Sequence, residues 1–116
     1  MSPYEEARHG PHRIVGPGFH ARVHELLCTV PAGAVTTYGD LAGALGSRTV
    51  ARHVGHALAA LPERSDVPWH RVVDGAGFVT RPGSAAARRQ AVLLRREQVV
   101  VGRDGRVADF ASHRFV

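Results

Sequence analysis

The chain has 116 residues, which is enough for one compact domain and too few for two domains with separate cores. Its formal net charge is +5, and all 15 of its Lys and Arg residues are arginine. Arginine binds phosphate bidentately and stacks on bases, so this composition favours a nucleic-acid partner over a small acidic substrate, although arginine-rich codon usage would explain the missing lysine equally well. The single cysteine excludes an intramolecular disulfide. Without a secretory signal or an apolar run of about 20 residues, we expect a cytoplasmic protein that does not contact membranes.

Two regions are predicted from the distribution of proline and glycine. Residues 1–17 show no sustained periodicity and are predicted to form a flexible N-terminal arm, and the folded domain is expected to occupy residues 18–116. From Phe19 to Val30 apolar residues recur at helical spacing, which predicts a first helix. Cys28 stands among apolar neighbours near its end, so we expect a buried, unreactive thiol.

The next segment has the pattern of a helix-turn-helix. A short extended stretch at residues 34–36 precedes Thr37, which is expected to cap a second helix that ends at Gly46. Ser47 is placed to cap a third helix, whose polar face carries Arg52. Two short helices joined by a tight Gly-Ser turn are typical of helix-turn-helix proteins.

The sequence after the third helix predicts short strands and one more helix. A turn at residues 74–77 leads to a strand at Phe78-Val79, and a helix is expected from Ser84 to about Arg96. Asp104-Gly105 suits a tight primed turn between the strands of a terminal hairpin. The predicted fold class is therefore mainly α with short β-hairpins, of helix-turn-helix or winged-helix type.

Few groups along the chain carry reactive chemistry. Trp69 lies between Pro68 and His70-Arg71, which is unusual company for a core residue and favours an aromatic plane at the mouth of a pocket. His70 and Glu97 are suited to a hydrogen-bonded relay, but without a nucleophile to activate, structural support is the expected role. Paired histidines on two helices lack a cysteine or acidic partner, so neither a metal nor another cofactor is expected.

Four ordered motifs carry a family resemblance. They are the segments Val35–Ala42, Ala51–Gly55, Pro68–Val73 and Leu93–Glu97. Residues 19–97 resemble the C-terminal domain of the O6-alkylguanine-DNA alkyltransferases. Trp69 stands where those enzymes have their alkyl-accepting cysteine, so the chain is similar to the alkyltransferase-like proteins. Leu61 departs from the family's hinge asparagine.

The resemblance implies roles for particular residues. Tyr38 would push on the phosphate 3′ of the target nucleotide, and Arg52 would replace the flipped base in the stack. The other implied DNA-binding residues are Thr37, Thr49, Ala51 and Gly55. The implied lesion pocket comprises Trp69, Tyr38, His70, Arg71, Arg81 and Ser84, with Glu97 as its structural support.

The expected function is therefore non-enzymatic recognition of O6-alkylguanine in double-stranded DNA. By resemblance, the recognition helix enters the minor groove, the damaged base flips into the pocket, and the lesion passes to nucleotide excision repair proteins. We expect a monomer that is associated with the nucleoid of a prokaryote. The alternatives are a helix-turn-helix regulator that reads undamaged DNA and an enzyme that works without the motif cysteine.

Overall fold

The structure, a computed structural model, describes residues 14–115. Within this range the elements are α1 (Phe19–Leu27), β1 (Thr36–Thr37), α2 (Tyr38–Leu45), α3 (Ala51–Ala59), β2 (Val72–Val73), α4 (Ala85–Arg96) and α5 (Phe110–His113). Single 3₁₀ turns occupy Arg48–Val50 and Trp69–Arg71. The mainly α, helix-turn-helix-like fold class is confirmed. No helix in this range is both long enough and apolar enough to span a membrane.

The first helix begins after Gly18 and buries one apolar face. Phe19, Val23 and Leu27 point into the core, as the helical spacing predicted. The helix ends at Leu27, before the predicted Val30, because the amide of Val30 turns to the carbonyl of Leu27 instead of continuing the helical ladder. Ile14 and Val15 also pack against this core. The packed chain thus includes part of the predicted arm, whose residues 1–13 lie outside the described range.

Local hydrogen bonds build the helix-turn-helix as the sequence predicted. The Thr37 hydroxyl accepts the Asp40 amide at 2.9 Å and caps α2. Gly46 ends α2 with a φ of +133°, a conformation that disfavours residues with a Cβ. The Ser47 hydroxyl then accepts the Thr49 amide at 3.2 Å, and a 3₁₀ turn delays the start of α3 to Ala51.

A two-stranded parallel sheet connects the helix-turn-helix to the hexapeptide Pro68–Val73. Thr36 pairs with Val72 and Thr37 with Val73. The sequence predicted only hairpins, in which strands follow each other closely, whereas this pairing joins segments more than 30 residues apart. The sheet consequently holds Trp69, just before β2, near Tyr38 at the start of α2.

Two groups of buried side chains form the core. The first lies between α1, α2 and α3, and the second lies under α4 and the C-terminal segment. α4 starts where predicted, because the Ser84 hydroxyl accepts the Ala87 amide at 3.0 Å.

The terminal hairpin has a different turn from the predicted one. Gly102 and Arg106 pair through backbone atoms around a three-residue loop, with Val101 and Val107 bridged beyond them. Gly105 has a φ of +87°, but Asp104 is not left-handed, as a two-residue type I′ turn would require. The prediction of a primed turn is therefore wrong. The structure shows the common arrangement of a type I turn followed by a left-handed glycine.

Candidate functional site

A cavity of about 390 Å³ opens between the helix-turn-helix and the hexapeptide. This volume is within the range of about 300 to 1,000 Å³ that is usual for small-molecule sites. Its lining residues come from α2, α3, the segment after α3, the hexapeptide, the loop after β2 and α4: Tyr38, Gly55, Leu58, Ala59, Leu61, Pro62, Glu63, Trp69, Val72, Thr80, Ala86, Arg89 and Gln90. The cavity is therefore assembled from segments that are distant in sequence.

Trp69 forms one wall of this cavity. It begins the 3₁₀ turn after the buried Pro68, and its amide donates to the Val67 carbonyl at 2.8 Å. The side chain is half-buried and belongs to neither core cluster. Its ring meets that of His70 edge-on, at 6.3 Å between centroids. The prediction that Trp69 lies at a pocket, and not in the core, agrees with this position.

Gln90 holds the cavity wall in place. Its side chain is 1% exposed, although it lies on the apolar face of α4 beside Ala91 and Leu94. The amide nitrogen donates to the carbonyls of His70 at 3.1 Å and Val72 at 2.7 Å. The amide oxygen accepts the Thr80 amide at 2.9 Å. One buried side chain thus joins α4, the hexapeptide and the loop that follows β2.

Replacing Gln90 by leucine is expected to lower the free energy of unfolding by about 2 kcal/mol, because buried backbone groups of the cavity wall lose their partner. Urea denaturation of both proteins measures the difference. Val92→Ala on the exposed side of the same helix is the matched control and is expected to change stability by no more than about 0.5 kcal/mol. Equal midpoints for Gln90→Leu and the parent protein would contradict this role.

Behind the tryptophan lies an ion-paired group centred on Glu97. His70 Nε2 lies 3.0 Å from Glu97 Oε2. Arg71 donates to both carboxylate oxygens, at 3.0 and 2.6 Å, and also to the Val30 carbonyl at 2.7 Å. The supporting contact expected of Glu97 is present. Because Arg71 and His70 are turned towards Glu97, neither lines this first cavity, but both line a second cavity together with Trp69, and their place in the lesion pocket stays a prediction.

The Glu97 carboxylate is predicted to make stability depend on acid pH. Burial acts to raise its pKa, but hydrogen bonds from Arg71 and His70 outweigh burial and lower the pKa from 4.5 to about 2. The stabilisation is therefore present above pH 4.5 and lost as the pH falls towards 2. It amounts to a few kcal/mol. Urea denaturation at a series of pH values should show this loss.

Glu97→Gln tests the assignment, since it removes the titrating carboxylate with little change in shape. The variant should lose less stability between pH 5 and pH 2 than the parent protein does. Some loss should remain, because hydrogen bonds from Arg114 also lower the pKa of Asp40. Glu25→Gln, at an exposed position on α1, should leave the pH profile unchanged. Parallel profiles for Glu97→Gln and the parent protein would refute the assignment.

The six predicted DNA-binding residues separate into three groups. Thr49 and Arg52 are exposed on the helix-turn-helix, and Tyr38 and Gly55 line the cavity. A Cβ at Gly55 would lie 3.9 Å from the Tyr38 ring, an ordinary contact, so no described residue approaches closely enough to require glycine there.

The other two predicted DNA-binding residues are less exposed than Thr49 and Arg52. Thr37 is 2% exposed and its hydroxyl caps α2, so its side chain is not available to DNA in this structure. Ala51 is half-buried and packs against the first core cluster. The expectation for Thr37 is corrected, because capping uses its side chain, whereas contact of Ala51 with DNA remains a prediction.

The structure also changes the membership of the predicted pocket. Arg81 is exposed and Ser84 caps α4, and neither lines the cavity. Thr80, Arg89 and Gln90 do line it and were not predicted. Gln90 carried a readable signal, because it is a polar residue at helical spacing within an apolar face. Any contribution of Arg81 and Ser84 to binding remains a prediction.

The prediction of a buried cysteine is wrong. Cys28 is exposed, because it lies one residue beyond Leu27, which takes the inward position at the end of α1. It borders the second cavity, of about 440 Å³, which Trp69, His70 and Arg71 also line. Cys28 does not line the first cavity. Within residues 14–115 no three potential metal ligands are grouped together.

A helix-turn-helix beside an aromatic-walled cavity defines a class of nucleic-acid-binding domain. Residues 18–99 match the family model of the 6-O-methylguanine DNA methyltransferase DNA-binding domain. The chain belongs to this family.

Some relatives of this chain are named as methyltransferases, and others are named as base-flipping or alkyltransferase-like proteins. The DNA base-flipping protein of Escherichia coli is 43% identical over 84% of this chain and 74% of its own length. Alkyltransferase-like protein 1 of Schizosaccharomyces pombe is 38% identical over 72% of this chain and 78% of its own. A methylated-DNA–protein-cysteine methyltransferase of Mycobacterium tuberculosis is 37% identical over 67% of this chain and 47% of its own. The resemblance to alkyltransferase-like proteins is confirmed.

Solved structures give the same assignment. The chain superposes on S. pombe Atl1 in complex with damaged DNA containing O6-carboxymethylguanine with a TM-score of 0.77. That match is 30% identical and covers 87% of this chain and 97% of the other. The M. tuberculosis OGT in complex with DNA matches with a TM-score of 0.62 and 36% identity, over 72% of this chain and 50% of the other. Sequence similarity and structural similarity therefore assign the chain to the same family.

Proposed function

We propose that this protein is a non-enzymatic sensor of O6-alkylguanine in double-stranded DNA. In this proposal α3 enters the minor groove, Arg52 takes the place of the damaged base in the stack, and the base flips into the cavity walled by Trp69. The observation that carries the proposal is that α3 both exposes Arg52 and lines the cavity through Gly55 and Leu58. A base leaving the stack beside Arg52 would have an aromatic-walled site next to it.

The absence of transfer chemistry rests on the residue types at the cavity. Trp69 carries an indole N–H donor and an apolar surface but no nucleophile for an alkyl carbon. The imidazole of His70 is bound to Glu97 and does not line this cavity. We therefore assign to the site the binding of the lesion and no alkyl transfer.

The proposal also covers the source of the affinity for DNA and the steps that follow lesion binding. Exposed arginines would contact phosphates and provide salt-sensitive affinity that is independent of sequence. We further propose that the protein works as a monomer at the nucleoid in the cytoplasm and passes the lesion to nucleotide excision repair proteins. The relatives named DNA base-flipping protein and alkyltransferase-like protein support the base-flipping part of the proposal.

Trp69 is the only tryptophan in the chain, so its fluorescence reports directly on the cavity. Titration with a duplex containing one O6-methylguanine is expected to change this fluorescence and to give a lower Kd than the same duplex with guanine. Equal Kd values would refute lesion recognition. A preference for one undamaged sequence would instead favour a transcriptional regulator.

The non-enzymatic assignment has its own experiment. After incubation with a duplex that carries a labelled O6-methyl group, all of the label should remain on the DNA. Label on the parent protein that is lost in Cys28→Ser would show transfer to the exposed cysteine. Free labelled base in solution would show glycosylase action.

A further inference from the structure

The C-terminal hairpin, residues 99–107, packs against the loop that borders the candidate cavity. We call this loop, residues 74–83, the pocket loop, because Thr80 within it lines the cavity. The match to the family model ends at residue 99, so the hairpin lies beyond the matched domain.

Several hydrogen bonds join the hairpin to the pocket loop. The Val79 amide donates to the Gly105 carbonyl at 2.8 Å, and the Val107 amide donates to the Gly77 carbonyl at 2.9 Å. Arg106 Nε donates to the Ala76 carbonyl at 2.8 Å. Phe78 and Arg106 form an antiparallel bridge between these bonds. The hairpin thus pairs with the first half of the loop much as an additional strand would.

Close packing at Gly105 extends the contact to the second half of the loop. A Cβ at Gly105 would lie 3.0 Å from the Pro82 Cβ and 3.2 Å from a Val79 methyl group. Thr80 lies between Val79 and Pro82 in the sequence, and its amide donates a hydrogen bond to the side chain of Gln90 in α4. The wall position of Thr80 is therefore defined by α4 on one side and by the hairpin on the other.

We propose that the C-terminal hairpin is a positioning element that sets the location of the pocket loop and thereby the size of O6-alkyl group that the cavity accepts. This proposal rests on the proposed lesion-binding function. Gly105 and Arg106 act through the loop and do not touch the lesion. A shift of the loop changes the space beside Thr80 and leaves the DNA-facing surface of α3 as it is.

Gly105→Ala provides the test, because its methyl group would push against Pro82 and Val79. We expect the ratio of affinities for lesion and undamaged duplexes to fall by at least about fivefold, since small displacements of a binding wall reduce affinity strongly. The fall should differ among O6-methyl, O6-ethyl and O6-benzyl adducts, whereas affinity for undamaged DNA should stay within about twofold.

Gly18→Ala is the matched control for backbone strain. Gly18 has a φ of +85°, close to the +87° of Gly105, but a Cβ there would meet nothing within 4 Å. Both variants carry the strain of a left-handed alanine, Gly105→Ala should lose additional stability through its contacts with Pro82 and Val79, and only Gly105→Ala should change the adduct preference. If Gly105→Ala fails to fold, Arg106→Ala removes the single bond to Ala76 and should lower the affinity ratio by about twofold or more.

Amide hydrogen exchange gives a readout that does not depend on DNA. Arg106→Ala should speed exchange of the Val79 and Val107 amides by about tenfold. Unchanged exchange would overturn the positioning role of the hairpin. If the parent protein prefers lesions and the folded hairpin variants keep its affinity ratio for every adduct, the inference fails while the proposed function stands. A parent protein without lesion preference overturns the proposed function instead.

Discussion

Replacing Arg52 by alanine is expected to reduce affinity for an O6-methylguanine duplex by at least about tenfold, which corresponds to about 1.4 kcal/mol. Extruding a base costs a few kcal/mol of unstacking and unpairing. The guanidinium plane of Arg52 would recover part of this cost by filling the vacated position, and alanine is too short to do so. Fluorescence titrations with lesion and undamaged duplexes measure the two affinities.

The control for this prediction is Arg96→Ala, which removes one exposed arginine at the end of α4. A general phosphate contact would change both affinities by the same factor, because such contacts do not distinguish damaged from undamaged DNA. Arg52→Ala should instead lower the preference for the lesion. Equal lesion affinity for Arg52→Ala and the parent protein would reject the role of Arg52 in base replacement.

Trp69→Ala is expected to weaken binding of the lesion duplex by about 1 to 3 kcal/mol, the range found when stacking of a base on an aromatic side chain is removed. Affinity for undamaged DNA should change little, because an unflipped base does not reach the cavity. Competition binding with both duplexes measures the effect, since this variant lacks the fluorescent reporter.

Two further measurements isolate the contribution of the aromatic surface. Trp69→Phe keeps an aromatic ring of smaller area and should retain part of the lesion preference. Thermal unfolding should show that Trp69→Ala remains folded, because the side chain is half-buried and outside both core clusters. An unchanged ratio of lesion to undamaged affinity in folded Trp69→Ala would remove Trp69 from the proposed pocket.

Local features of the fold could be predicted from the sequence. The caps at Thr37, Ser47 and Ser84 and the glycine stop at Gly46 each depend on hydrogen bonds or backbone angles within a few residues. The helix-turn-helix followed from these signals. The family could be inferred from the four ordered motifs. The position of Trp69 at a pocket could be inferred from its neighbours Pro68, His70 and Arg71.

Contacts between distant segments could not be read in the same way. The predicted primed turn at Asp104-Gly105 was wrong, because the hairpin closes at Gly102 and Arg106 around a three-residue loop, and the dipeptide does not specify where the strands pair. The expected burial of Cys28 was wrong because Leu27 takes the inward position at the end of α1 and the next residue faces outward. Arg71 was expected in the pocket, but its carboxylate partner lies 26 positions along the chain.

The sequence by itself determined the family, the helix-turn-helix and the replacement of the motif cysteine by Trp69, since each is written in residue types at short spacing. The tertiary structure decided which residues share the cavity. The parallel pairing of Thr36 with Val72 and the three bonds of Gln90 bring the wall together. Both join segments far apart in sequence, and such contacts form only when the whole chain has folded. Of the predicted lesion-pocket residues Trp69, Tyr38, His70, Arg71, Arg81 and Ser84, this cavity is lined by Trp69 and Tyr38, together with residues of α3 and α4.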